Sequence, residues 1–219
     1  MRDKGWYQVK FPKFLTTVPL LVDSGINSGD ALEIGPGPGY LGLEWLKNTN
    51  GTTLTGLDIS PNMIEIAKHN AAEYEFTERL RYLLADASDM PFRNNQFDCV
   101  FSSASLHEWV QPKQIMNEIA RVLKPGGSYY ITDLRRCMSR VWKLVVWFLA
   151  WPKEVRPYFI ASVNESYMIK EVKDILRDTQ LCNSSISKAL YGLVIRGQII
   201  NPCQNIPSVS PMPLLKPQE

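Results

Sequence analysis

Apolar positions along the chain fall into two alternating rhythms. Short, largely apolar runs recur at "ALEI" (31–34), "TTLTGLDIS" (52–60), "RYLLAD" (81–86), "FDCVFSSAS" (97–105) and "SYYITDL" (128–134). These predict buried strands. Between them lie segments with apolar residues three or four apart, which predict helices. Leu41 and Trp45 set that spacing in the first. In "SPNMIEIAKHNAAEY", Ser60 is placed to cap the helix and Pro61 to open it, with Ile64, Ala67, Lys68 and Ala71 along one stripe. In "PKQIMNEIARVLKPGG", Ile115, Ile119, Val122 and Leu123 share a side; the helix must stop before Pro125, and Gly126-Gly127 turn the chain. Strand and helix alternate five times over roughly a hundred residues, the signature of a doubly wound, parallel α/β sheet with helices on both faces.

After Asp133 the rhythm breaks. Residues 134–160 mix cations (Arg135, Arg136, Arg140, Lys143, Lys153, Arg156) with aromatics (Trp142, Trp147, Phe148, Trp151, Tyr158, Phe159). An amphipathic helix follows through Met168, Val172, Ile175 and Leu176, and then "NSSISKALYGLVIRGQII", which can supply two more strands with a bend near Tyr191-Gly192. Five prolines in the last 19 residues predict an irregular tail. The expected organisation is one domain: an N-terminal cap (1–29), a core (30–133), an insert (134–165), a C-terminal helix and strands (166–200) and the tail (201–219).

Composition narrows the function only by exclusion. The 219 residues are 45% hydrophobic and 21% charged, ordinary for a soluble globular protein, and a net charge of +2 gives no reason to expect a nucleic-acid partner. The start, "MRDKGWYQVKFPKF", lacks the apolar core of a secretory signal. Cys99, Cys137, Cys182 and Cys203 are widely spaced, with no zinc-type cluster, so no metal site is expected and a reducing, cytoplasmic compartment is. The longest apolar stretch, Leu144–Trp151, is far short of the roughly 20 residues of a membrane span.

The chemistry concentrates in "ALEIGPGPGYLG". Gly35, Gly37 and Gly39 form G-x-G-x-G, while Gly37, Gly39 and Gly42 form the dinucleotide fingerprint G-x-G-x-x-G. A pyrophosphate is held by backbone N–H groups at such a turn, and Pro36 and Pro38 have none to give. S-adenosylmethionine (SAM) carries no phosphate, and a stiff turn suits its methionine part better. Glu33 adds a negative charge suited to the α-amino group. Asp58 ends the second strand, where a carboxylate can accept both ribose hydroxyls, although dinucleotide sites share this feature. Asp86 ends the third strand, where it can accept the adenine amino group, with Ala87 and Ile59 beside the ring. The plainer reading of Asp58 and Asp86 is a cap or turn acid.

These segments together resemble a class I SAM-dependent methyltransferase, of the type that includes ubiquinone/menaquinone C-methyltransferases. The resemblance runs from about Asp30 to Asp133 and rests on the order and spacing of "LEIGPGPG", "LTGLDISPNMIEIAKHNA", "LLADASDMPFRNNQFDCVFSSASLHEW" and "NEIARVLKPGGSYYITD". It implies a Rossmann-like, seven-stranded sheet with an antiparallel last strand. It implies SAM as cofactor, with S-adenosylhomocysteine as product. Glu33, Gly35, Gly37 and Gly39 then line the methionine, Asp58 the ribose, and Ile59, Asp86 and Ala87 the adenine. Ser102 and Ser103 bring backbone carbonyls to the amino group.

His107 and Glu108, after the fourth strand, are the candidate catalytic residues. A base is needed only where the acceptor must lose a proton, and the plainer role of His107 is packing beside the cofactor. Residues 134–165 are expected to shape the pocket of a small-molecule acceptor. Met138, Val141, Trp142, Val145 and Leu149 would share one stripe, and Arg140, Lys143, Trp147 and Trp151 another. Such a stripe fits a lid packed on its own domain or a dimer contact. It also fits a hydrophobic acceptor met at a membrane surface, with peripheral contact through 138–151. Trp6, Tyr7, Phe11 and Phe14 are expected to close the pocket from the other side. Two rival functions stay open: a nicotinamide-dependent oxidoreductase, and a SAM-binding protein without catalysis. The acceptor atom and oligomeric state are not legible.

Overall fold

The structure is a computed structural model that describes residues 18–149, 156–189 and 192–199. The N-terminal aromatics, Trp151, Tyr191 and the proline-rich tail fall outside the described residues. Seven strands form one sheet: β1 (Asp30–Ile34), β2 (Thr53–Asp58), β3 (Leu80–Leu84), β4 (Phe97–Ser103), β5 (Leu123–Leu134), β6 (Ser185–Lys188) and β7 (Gly192–Gln198). Their order is β3-β2-β1-β4-β5-β7-β6. β7 runs antiparallel to both neighbours, as expected of the last strand. The helices are α1 (Val18–Asp23), α2 (Tyr40–Lys47), α3 (Pro61–Glu73), α4 (Pro112–Val122), α5 (Arg140–Leu149), α6 (Arg156–Glu165) and α7 (Ile169–Arg177).

The period-two alternation of the strands sorts two cores. Leu32, Ile34, Val100, Ile131, Leu193 and Ile195 face α4 and α7. Their neighbours Ala31, Cys99, Phe101, Tyr130 and Val194 face α1, α2 and α3. Both faces are therefore covered, which is why these strands read as near-continuous apolar runs. Trp45 is fully buried in the second core and donates from its indole nitrogen to the Ile26 carbonyl (2.7 Å), tying α2 to the turn after α1. α3 begins as its sequence dictates: Pro61 is its first residue and the Ser60 hydroxyl accepts the Met63 N–H.

Strand and helix do not alternate all five times: no helix lies between β3 and β4, and residues 85–96 form a turn-rich crossing that carries the chain from the sheet edge past β2 and β1. A polar clamp holds it in place of a helix. Arg121 on α4 donates to the carbonyls of Met90 (2.9 Å) and Phe92 (2.7 Å), and Glu118 accepts the Met90 N–H (2.8 Å) while pairing with Arg121 (2.6 Å). These bonds do for the crossing what a helix would have done internally: they satisfy its backbone.

Cys99 and Cys137 are free thiols, but Cys182, between α7 and β6, is disulfide-bonded, unlike the reduced cysteines expected from the sequence. The insert forms α5 and α6. Its stripe also differs from expectation: Met138 is buried ahead of α5, whereas Val141 and Val145 are exposed. Among the described residues no helix is long and apolar enough to cross a membrane.

Arg121→Ala should lower the unfolding free energy by about 2 kcal/mol, because it strips the crossing of its donors and leaves the Glu118 carboxylate unpaired. Urea denaturation measures this; an unchanged midpoint would show that the clamp is dispensable.

Candidate functional site

Strand order reverses between β1 and β4: β2 and β3 lie to one side of β1, β4 and β5 to the other. Ligands of doubly wound sheets bind at the carboxyl ends of the strands, at such a reversal. The β1–β4 ladder pairs Ala31, Leu32 and Glu33 with Cys99, Val100 and Phe101 and ends there. Beyond it the Ser102 hydroxyl donates to the Ile34 carbonyl (2.7 Å), so its side chain is a tie between the parting strands. Ser103 follows, half-buried. Ala104 then takes a left-handed conformation (φ 54°) and donates its N–H to Thr132 (2.9 Å). Strain at a non-glycine residue is a mark of functional sites.

The glycine turn fills the crevice between β1 and α2. Gly35, Gly37 and Gly39 all have positive φ. A Cβ on Gly37 would meet nothing within 4 Å, so the turn is open on that side. The decisive feature is where the glycine N–H groups go. Gly35 donates to the Leu57 carbonyl (2.9 Å) and Gly39 to the Pro36 carbonyl (2.9 Å). Gly37 donates to the Asp58 carboxylate (3.1 Å). The N–H of Gly42, in the first turn of α2, acts on the Glu33 carboxyl to lower its pKa. The glycine donors that a dinucleotide site aims at phosphate are thus taken, that of Gly37 by a carboxylate.

This gives Gly42 a role that its place in the sequence did not: a Cβ there would collide with Glu33 Oε2 and the Leu54 side chain. Glu33 is 2% exposed, and its Oε2 has no hydrogen-bond partner among the described residues. Burial, then the charge of Asp58, push its carboxyl up to about 8, with the Gly42 N–H opposing. Below the turn, the buried Tyr82 hydroxyl also has no partner among the described residues, and it lies where a Cβ on Gly39 would sit. Burial and the charge of Glu33 raise its pKa. An orphaned acid and an orphaned phenol beneath an open turn are a polar cradle suited to a cationic ligand.

Asp58 sits half-buried at the end of β2, between the turn and α3. Its Oδ1 accepts the Ser60 N–H (2.9 Å), and burial raises its carboxyl above the ordinary value despite the backbone donors. Ile59 beside it is 70% exposed, an apolar surface at the mouth of the crevice. Asp86 is exposed, and its Oδ1 accepts the Ser88 N–H (2.8 Å), the geometry of a turn acid. Ala87 packs half-buried against the main core.

On the far side of the crevice, a short 3-10 helix (Leu106–Glu108) carries the catalytic candidates. His107 Nδ1 lies 2.9 and 3.0 Å from the two Asp133 oxygens, and its backbone N–H donates to Oδ2 (2.7 Å). Both side chains are almost fully buried. Burial pulls the imidazole down, but the Asp133 hydrogen bond and charge, with Glu108 and Glu165, outweigh it and raise its pKa above 6.5. Glu108 itself faces solvent. Its carboxyl is raised by partial desolvation, with His107 opposing and Asp58, Asp133 and Glu165 adding to the rise. Ser105 ties this side to the turn: its hydroxyl accepts the Trp109 indole N–H (3.0 Å) and lies where a Cβ on Gly35 would sit.

Sequence reasoning missed Asp133, Tyr82 and Ser105. Asp133 is the penultimate residue of β5 as Asp58 is the last of β2, so the rule that found one would have found the other. Tyr82 sits in mid-strand and Ser105 in a loop, and no sequence signal marks either.

Residues 32–131, which hold the glycine turn with Glu33 and Asp58, match the family described as "Methyltransferase domain". Among curated proteins, the chain is similar to the methyltransferase GfsG of Streptomyces halstedii, 33% identical over 103 residues, covering 47% of this chain and 37% of that protein. It is similar also to the ubiquinone/menaquinone biosynthesis C-methyltransferase UbiE of Geotalea daltonii, 31% identical over 107 residues, covering 48% and 46%. The chain thus spans less than half the length of these relatives. Among solved structures, a SAM-dependent methyltransferase from Aquifex aeolicus shares the fold, with a TM-score of 0.64 at 20% identity over 83% of this chain and 88% of that one.

Glu33 carries a stability signature. Its folded-state pKa lies above the ordinary value of 4.5, so the folded protein holds that proton more tightly, and stability falls as pH rises from 4.5 to about 8. Glu33→Gln keeps an acceptor for the Gly42 N–H and has no proton to lose. Its melting temperature should exceed that of the wild type at about pH 8 and converge with it below about pH 5. Melting curves that run parallel across this range would contradict the assignment.

Proposed function

We propose that the protein transfers the methyl group of SAM to a small-molecule acceptor by in-line displacement. The observation that carries this reading is the capture of the Gly37 N–H by Asp58 beside the buried, unpartnered carboxyl of Glu33. A pyrophosphate approaching the turn would face two carboxyl groups and find the glycine donors taken; a ligand bearing an ammonium and a sulfonium gains from both. This favours the methyltransferase over the nicotinamide-dependent alternative.

In this reading Glu33, Gly35, Gly37 and Gly39 hold the methionine end, with the Ser102 and Ser103 carbonyls toward its amino group. Asp58 holds the ribose. Ile59 covers one face of the adenine, and Asp86 and Ala87 meet its edge, Asp86 through Oδ2 because Oδ1 serves the turn. When bound, SAM supplies a methyl group already activated by the positive sulfur. The protein then has to align the acceptor, exclude water and, for a protonated nucleophile, remove a proton. Within the insert (134–165), α6 borders the acceptor side, against the short helix that carries His107.

His107 is the proposed base. With Nδ1 held by Asp133, Nε2 is the nitrogen left to take a proton from the acceptor. Asp133 is the positioning residue: it fixes the ring and stabilises the imidazolium that results. Glu108, at the exposed edge of the same short helix, orients a polar or cationic part of the acceptor. The His107–Asp133 pair also favours an enzyme over a SAM-binding protein without catalysis, because a buried, charge-assisted pair at the site has no evident use in binding alone.

Release of S-adenosylhomocysteine, followed across a panel of hydroxyl, thiol, amine and activated-carbon acceptors, tests the function. Activity should fall as pH drops through the His107 pKa, since the imidazolium takes no proton. Asp133→Asn should cut kcat by about 10²-fold and move that limb to lower pH, because the anion that raises the imidazole pKa is gone. SAM affinity should hardly change. A variant with an unshifted pH profile would remove the pair from catalysis; an absence of turnover across the panel would favour the non-catalytic reading.

A further inference from the structure

Helix α5 presents its apolar face to solvent. Val141, Leu144 and Phe148 are 70%, 65% and 72% exposed, and Val145 adds to the same stripe. The spacing of 141, 144, 145 and 148 puts them on one side of the helix. A lid packed on its own domain would turn this stripe inward.

Charge identifies the covering surface. The segment 134–160 holds six cations and one acid, a net +5 in a chain whose total is +2. Among the described residues Arg136 spends its charge on Glu171, whereas no ion pair involves Arg135 or Lys143. An apolar stripe within a basic, Trp-rich segment matches an anionic lipid interface: the apolar residues enter the acyl boundary and the cations meet the headgroups. A second copy of the chain would bring a segment of the same charge and be repelled.

We propose that α5 docks the protein on anionic membranes, lying in the interface rather than crossing it. Its ten residues are too few to span a bilayer. The docked face stands close to the chemistry: α5 packs on α6, and α6 packs on the short helix that carries His107. The contact is weak and salt-sensitive, since one short stripe and a few cations supply it.

Co-sedimentation with vesicles tests this, comparing phosphatidylcholine alone with equal parts phosphatidylglycerol and phosphatidylcholine. The wild type should bind the anionic vesicles at least about tenfold more tightly, and high salt should abolish the difference. A double variant, Leu144→Glu with Phe148→Glu, should lose at least about tenfold in binding while its melting temperature and SAM affinity stay unchanged. Three results would overturn the proposal: sedimentation with neither vesicle, full binding by the double variant, or a concentration-dependent dimer in light scattering that the double variant abolishes. The wild-type salt series stands by itself if the double variant fails to fold.

Discussion

Two carboxyl groups on a glycine turn set the chemistry of this protein. A doubly wound sheet gathers backbone N–H groups at the end of its first strand, and in many such folds they await a phosphate. Here Asp58 takes the Gly37 donor, and the Glu33 carboxyl lies against Gly42. The arrangement has a cost that the rest of the structure absorbs. Glu33 is buried beneath the turn with one oxygen unpartnered, close to the charge of Asp58. A cation at this point would relieve both strains, which is the physical sense in which the site fits a sulfonium cofactor.

The opposite wall is built on the same device. Asp133 is the penultimate residue of β5 and Asp58 the last of β2, and each carboxylate holds a segment from elsewhere in the chain: Asp58 the glycine turn, Asp133 the short helix with His107. Strand-end acids thus fix the two sides of the crevice relative to the sheet. Ser102 stitches the sides together through the Ile34 carbonyl, and the Ser105 hydroxyl, held by Trp109, lies against Gly35. The positioning is rigid because each contact starts from the end of a buried strand. The outer parts, α5 and α6, rest on this frame and face the solvent.

The fold was largely legible in the chain because buried parallel strands leave a continuous apolar signature and α3 and α4 carry their own start and stop signals. The ordering of the crossing between β3 and β4 was not legible. "ASDMPFRNNQ" offers no periodicity, and the clamp that orders it comes from Arg121 and Glu118, which a one-dimensional reading assigns to the solvated face of α4. The candidate site was legible as a place, the ends of β1 and β2, where Gly37 meets Asp58. It was not where a residue acts through the third dimension. Gly42 read as an ordinary small residue until Glu33 was found lying against it. The stripe on α5 was legible as amphipathic, but whether its apolar side faced inward depended on packing that spacing does not encode.

The central claim is that this crevice receives a cation rather than a pyrophosphate. Titration calorimetry of the wild type with SAM and with NADPH, alongside the Asp58→Ala variant, tests it most directly. The account predicts that the wild type binds SAM and not NADPH, and that Asp58→Ala weakens SAM binding at least about tenfold, close to 1.4 kcal/mol. Tight NADPH binding without SAM binding would contradict it.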